Sequence, residues 1–239
     1  MLKRQKDRRR HQEGTLLHSA PLADLQQHGL HVLRGYVPRE LVLRAREEVE
    51  PVLRDALGGS LARNLDISVT DGYAEVLGAE RYFDAVREIA EDPLFLEAAR
   101  AYGGPSVASY RVRAVLRVGG ASNPIVDPLH IDTWAFRFKA MVYLSDVGPE
   151  DSPLKYVPGT HGSAGWALGR PIYEYLCHVN KLRPVRERLL QRRAHHGQPY
   201  LCTGPAGTAI LFDTRGIHAG TPGRGDRLIL NQTFTAFGK

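Results

Sequence analysis

The triplet His130-Ile131-Asp132 places an imidazole and a carboxylate two positions apart, just before Trp134. Alternate residues of an extended segment project to the same side, so both side chains can reach one metal ion from one face. Two imidazoles and one carboxylate on one face of Fe(II), with the other positions open, form the donor set of non-haem oxygenase chemistry. The triplet alone carries little weight. With ten His and thirteen Asp in 239 residues, chance supplies roughly one such triplet in every second chain of this composition. A second imidazole has to come from elsewhere in the chain.

His218 is the strongest candidate. It lies in TAILFDTRGIHAGTPGRGDRLILNQTF, where a β-like run leads into a glycine-rich turn and a second run starts at Arg227. Period two then sends Arg227, Ile229, Asn231 and Thr233 to one side of that second strand. The arginine fits the chemistry. A dicarboxylate that chelates a metal through one end needs its far carboxylate held, and a guanidinium grips it through two parallel hydrogen bonds.

Elements able to position these residues are legible around them. PLADLQQHG, residues 21–29, reads as a short helix closed by glycine, and LHVLRGYV as a strand. Pro38 opens a helix over 39–57, with Leu41, Ala45, Val49, Val52 and Leu53 along a core-facing stripe and Pro51 as a point of kinking. A further helix is expected over 91–102, ending at Gly103-Gly104. SYRVRAVLRVGG alternates with period two, with Ser109, Arg111, Arg113, Val115 and Arg117 on one face and Tyr110, Val112, Ala114 and Leu116 on the other. Further strands are expected at 138–144, 155–157, 208–212 and 228–234, interrupted by a helical segment over 173–193. Helices first and strands later predict a mainly β domain with flanking helices around a double-stranded β-helix, the jelly-roll or cupin-like core.

Composition sets the class. The chain is 43% hydrophobic and 24% charged, values ordinary for a soluble globule. The formal charge is +6, and six Lys or Arg against two acids fall within the first thirteen residues. Residues 1–14 are therefore read as a basic, disordered tail and 15–239 as a single domain, with nucleic acid not expected as a partner. Cys177 and Cys202 form no C-x-x-C pair, which argues against a thiolate zinc site and a disulfide framework. No apolar run reaches membrane-span length and no signal peptide is recognised, so the expected location is cytoplasmic.

The chain resembles the phytanoyl-CoA dioxygenase family of Fe(II)/2-oxoglutarate-dependent oxygenases. The likeness spans most of the chain after the tail. It is carried by QQHGLHVLRGYVPRELVLRAREEVE, by HID with KAMVYLSDV, by PLKYVPGTHGS, and by GTAILFDTRGIHAG with RLILNQTF. The resemblance implies that His130, Asp132 and His218 bind Fe(II), that Arg227 binds 2-oxoglutarate, that Tyr143 contacts that cosubstrate, and that O2 is the oxidant. The interval from His218 to Arg227 is shorter than is usual in that family, which leaves Arg224 as a rival anchor. His161, the rival third ligand, falls in a turn of the family pattern.

The implied reaction is hydroxylation of a small molecule with release of succinate and CO2. Because Asp132 supplies a carboxylate where a halogenating relative leaves room for chloride, halogenation is disfavoured. Desaturation, cyclisation and epimerisation use the same ligands, and a non-catalytic jelly-roll protein that retains a metal is the reading from another class. Arg111 and Arg113 are costly to bury unpaired, so if their face lines the cavity they require an anionic partner, such as an anionic substrate. Trp134 is a candidate wall of the substrate pocket. His195-His196 and the cations from Lys181 to Arg193 read as solvated, with a lid over an anionic substrate as the alternative for those cations.

Overall fold

The computed structural model describes residues 21–121, 128–132, 135–162, 188, 190–192, 194 and 198–236. Helix α1 covers residues 21–28 and stops at Gly29, whose φ of 75° is open to glycine at little cost. Strand β1 (Leu30–Leu33) follows, shorter than expected because the chain turns at Gly35, φ 59°. Helix α2 (Arg39–Leu57) runs unbroken through Pro51 and buries Val42, Ala45, Val49, Leu53 and Ala56. The expected Leu41 and Val52 are half-buried and pack against the same core.

A hairpin of β2 (Ile67–Thr70) and β3 (Tyr73–Leu77) comes next, followed by α3 (Asp84–Ala90) and α4 (Pro93–Gly103). The expected helix over 91–102 begins instead at Pro93. The Asp92 carboxylate caps it by accepting from the Leu94 amide at 2.9 Å, and Pro93 occupies the first turn. The remaining strands are β4 (Val107–Arg117), β5 (Arg137–Tyr143), β6 (Leu154–Tyr156), β7 (Tyr200–Cys202), β8 (Ala209–Asp213), β9 (His218–Gly220) and β10 (Arg227–Ala236). Arg188, Leu190 to Arg192 and Ala194, from the expected helix over 173–193 and just beyond it, are helical.

Among the described residues two antiparallel sheets result, one of seven strands in the order β1-β8-β5-β10-β4-β3-β2 and one of three in the order β7-β6-β9. This is the mainly β, jelly-roll architecture expected. The large sheet packs one face against α2, α3 and α4 through Val112, Ala114, Leu116, Phe138, Val142 and Leu230, among others. Its other face looks toward the small sheet. There Val115, Met141, Tyr143, Ile210, Phe212 and Ile229 meet Leu154, Tyr156 and Cys202.

The alternation of β4 survives with one exception. A register shift between Thr233 and Phe234 on β10 lies opposite Arg111 and Ser109. Past that bulge Ser109 no longer shares the arginine face, and its hydroxyl meets the Gln232 amide at 3.1 Å. Among the described residues no helix is long and apolar enough to cross a membrane.

Candidate metal centre

His218 opens β9, and the fold brings His130 beside it. An antiparallel bridge joins the two, with His130 N–H donating to His218 O at 2.8 Å and His218 N–H to His130 O at 2.9 Å. The 130 segment thereby extends the small sheet by one residue pair. Asp132 is placed by its own amide, which donates to Thr214 O at 3.1 Å. One loop, 214–217, therefore sets both His218 and Asp132.

That loop is heavily tied. Asp213, fully buried at the end of β8, accepts from the Arg215 guanidinium at 2.5 Å and from Tyr102 Oη at 2.7 Å. Thr160, in the P-G-T-H stretch, donates to Val157 O at 2.6 Å and accepts the Ile217 amide at 2.8 Å. Gly216 has to be glycine, because a Cβ there would collide with Tyr156 Oη. Tyr156 in turn stacks on the His218 ring, with centroids 6.4 Å apart and planes 19° apart, while Phe212 meets that ring edge-on.

The donor atoms converge. One ligand atom from each of His130, Asp132 and His218 lies within 4.8 Å of the others, and no other such cluster of metal-ligating residues occurs among the described residues. Asp132 Oδ1 is 3.6 Å from His130 Nε2 and 3.5 Å from His218 Nε2. Atoms each roughly 2.1 Å from a shared ion lie about 3–3.5 Å apart, so the three fit one metal. Both imidazoles have the correct tautomer held for them. His130 Nδ1 faces Pro128 O and His218 Nδ1 faces Gly216 O, each at 2.8 Å. A carbonyl only accepts, so each Nδ1 carries the proton and each Nε2 presents a lone pair.

The electrostatics favour the same protonation states. Burial pulls His130 down to about 4, helped by the neighbouring His218, so its ring is neutral near pH 7. Burial alone would raise Asp132, but the Lys139 ammonium and the His218 contact outweigh it and hold the carboxyl far below its ordinary value. Lys139 Nζ stands 2.6 Å from Asp132 Oδ2. Sequence reasoning missed this lysine. It sits inside FKAMVY, which reads as an apolar strand, and its only signal was its place in the inward-facing alternation.

The inner face of the large sheet supplies the rest. Arg227 is 5% exposed and donates through Nη1 to Ser152 O, whereas the rival Arg224 is a solvent-exposed turn residue. Tyr143 is fully buried and donates to Cys202 O at 2.5 Å. Asn231, cross-strand from both Arg113 and Met141, keeps a buried Oδ1 with no hydrogen-bond partner. Arg113 reaches Glu75 at 3.2 Å, and Arg111 lies over the Tyr110 ring at 5.1 Å. His161 stands apart from the triad, its Nε2 at 3.2 Å from Gln26 O. Trp134, His195, His196, Cys177, the cations at 181, 183, 186 and 193, and the tail 1–14 lie outside the described residues.

No family model matches the chain, and no curated protein matches it in sequence. Solved structures do match in fold. AviO1 from Streptomyces viridochromogenes Tue57 superposes over 91% of this chain and 94% of its own, at 17% identity and a TM-score of 0.64. EctD from S. alaskensis, solved with 2-oxoglutarate and 5-hydroxyectoine, covers 91% of this chain and 76% of its own, at 18% identity and a TM-score of 0.69. SnoN, a non-heme alpha ketoglutarate dependent epimerase from nogalamycin biosynthesis, covers 92% and 83%, at 16% identity and a TM-score of 0.62. At these identities the likeness is one of fold.

Proposed function

We propose that the chain is a non-haem Fe(II)/2-oxoglutarate-dependent oxygenase of the phytanoyl-CoA dioxygenase kind, acting on a small molecule. The observation that carries the reading is the convergence of two imidazole Nε2 atoms and one carboxylate oxygen on a single point between the sheets. That donor set suits Fe(II) with open positions. A buried guanidinium at Arg227, the phenol of Tyr143 and the orphaned Asn231 Oδ1 give the same inner face the polar groups that a dicarboxylate cosubstrate needs. The structures matched in fold include ones solved with iron and with 2-oxoglutarate.

In this reading His130, Asp132 and His218 hold the iron, and Arg227 with Tyr143 holds 2-oxoglutarate. The iron, 2-oxoglutarate and O2 together supply oxidation of a substrate C–H bond, with release of succinate and CO2. The chain's own residues orient and desolvate. Pro128 O and Gly216 O accept from both Nδ1 atoms, which turns each Nε2 toward the metal. Tyr156 and Phe212 wall His218 with aromatic surface that excludes water. Arg111 and Arg113 share the inward side of β4; Arg113 is already paired with Glu75, and Arg111 would receive an anionic group of the substrate.

Hydroxylation is the first reading of the reaction. Ring closure or epimerisation is a second reading, favoured by fold neighbours described as a carbocyclase and an epimerase. The deciding experiment is anaerobic. Apoprotein titrated with Fe(II) and then 2-oxoglutarate should develop the visible charge-transfer band of the chelate, and His218→Ala should lose it. Iron binding without the band would overturn the cosubstrate assignment.

A further inference from the structure

Asp132 has two carboxylate oxygens, and the fold gives them different neighbours. Oδ1 faces both histidines, at 3.6 Å and 3.5 Å, whereas Oδ2 faces Lys139 Nζ at 2.6 Å. Lys139 is a buried residue at 8% exposure, in the middle of β5 on the inner face, with its ammonium 6.0 Å from the Phe212 ring centroid. Its cross-strand neighbours are Thr233 and Phe212, so no second carboxylate lies directly beside it in the sheet. Burying an ammonium is costly, and an apolar side chain would fill the same space without that penalty.

We propose that Lys139 is a positioning residue of the metal centre, whose ammonium occupies Oδ2 so that Asp132 offers the metal Oδ1 alone. The inference rests on the reading of His130, Asp132 and His218 as an iron site. With two imidazoles and one carboxylate oxygen as protein donors, three of six positions stay open. A carboxylate closing on the metal through both oxygens would take one of them. The ammonium also carries charge. It opposes the approach of a divalent cation to Asp132 and favours the approach of a dianionic cosubstrate.

These two effects have opposite signs, which separates them from bracing. A lysine that merely braced the 128–132 segment would, on removal, weaken metal binding and cosubstrate binding together. The test uses Lys139→Met and Lys139→Arg in the full chain, with folding checked by far-UV circular dichroism. Lys139→Gln replaces the methionine variant if that one misfolds.

Co(II) alone is titrated first, reading affinity. Fe(II) with 2-oxoglutarate follows anaerobically, reading the charge-transfer band. Lys139→Met is expected to bind Co(II) at least as tightly as the wild type. Half-saturation by 2-oxoglutarate should rise by about tenfold or more. Lys139→Arg should restore 2-oxoglutarate half-saturation to within about threefold of wild type, because the charge is kept. Weaker Co(II) binding by Lys139→Met, or an unchanged 2-oxoglutarate half-saturation, would overturn the proposal. If the wild type itself forms no chelate band, the oxygenase reading fails instead, and the Co(II) measurements still judge Lys139.

Discussion

On β4, β5 and β10 the residues turned toward the helices include Val112, Ala114, Phe138, Val142, Leu228 and Leu230, all buried. The residues that alternate with them include Arg111, Arg113, Lys139, Tyr143, Arg227 and Asn231. The same strands thus carry an apolar face that packs and a face on which polar and charged side chains are buried or half-buried at a cost. Cross-strand rows show the contrast. Thr233 stands between Arg111 and Lys139, and Asn231 between Arg113 and Met141. Buried cations and an orphaned amide oxygen stabilise nothing by themselves. On these strands the charged side chains stand on the inner face, whereas the helix-facing side holds one buried amide, Gln232, tied through Nε2 to Ala90 O; the inner face answers to ligands and the helix-facing side to stability.

The largest effect expected is on the polar side. Asp132→Ala should lower Fe(II) affinity by at least about a hundredfold, more than loss of a supporting contact around a metal costs, while urea unfolding of the apoprotein changes far less. A comparable loss of apoprotein stability would mean the polar side is structural after all. On the helix side, Phe138→Ala removes a fully buried ring and should cost about 3–5 kcal/mol in denaturant unfolding. Its 2-oxoglutarate half-saturation should stay unchanged at temperatures where the variant is folded.

A smaller effect belongs to Arg227→Ala, which should raise 2-oxoglutarate half-saturation by roughly 10- to 100-fold with Fe(II) affinity retained. Equal losses of both would show that Arg227 supports the metal loop, not the cosubstrate.

The smallest is electrostatic and far from the site. Burial would raise Glu50, but hydrogen bonds from Arg46 and Arg54 outweigh it and lower its carboxyl. A lowered carboxyl contributes stability above its unfolded value and loses it as pH falls through the folded one. The stability difference between wild type and Glu50→Gln should therefore be about 1 kcal/mol or less at pH 7 and shrink on acidification. A constant difference across pH would assign the effect to packing.

Much of the contrast between faces was written in the alternation of SYRVRAVLRV and RLILNQTF, because a strand's period of two is a local property. Where the pattern failed, the cause was non-local. Ser109 left the arginine face because a bulge is set by the pairing of β10 with β4, which no stretch of β4 alone encodes. Of the short strands, β6 and β8 were expected at 155–157 and 208–212, whereas β2, β3, β7 and β9 were not, since three to five residues carry little alternation to distinguish a strand from a loop.

The chain by itself determined the donor types, their order and the inward face that carries Arg227, Asn231 and Thr233. Only the tertiary structure decided how the donors meet. The His130–His218 bridge, the Thr214 carbonyl that seats Asp132, and the contact of Lys139 with Oδ2 all join segments distant in sequence or separated by a turn. The physical reason is that a metal site is a condition on distances among a few atoms. Residue order restricts which atoms can take part, but sheet pairing and loop ties alone set the distances.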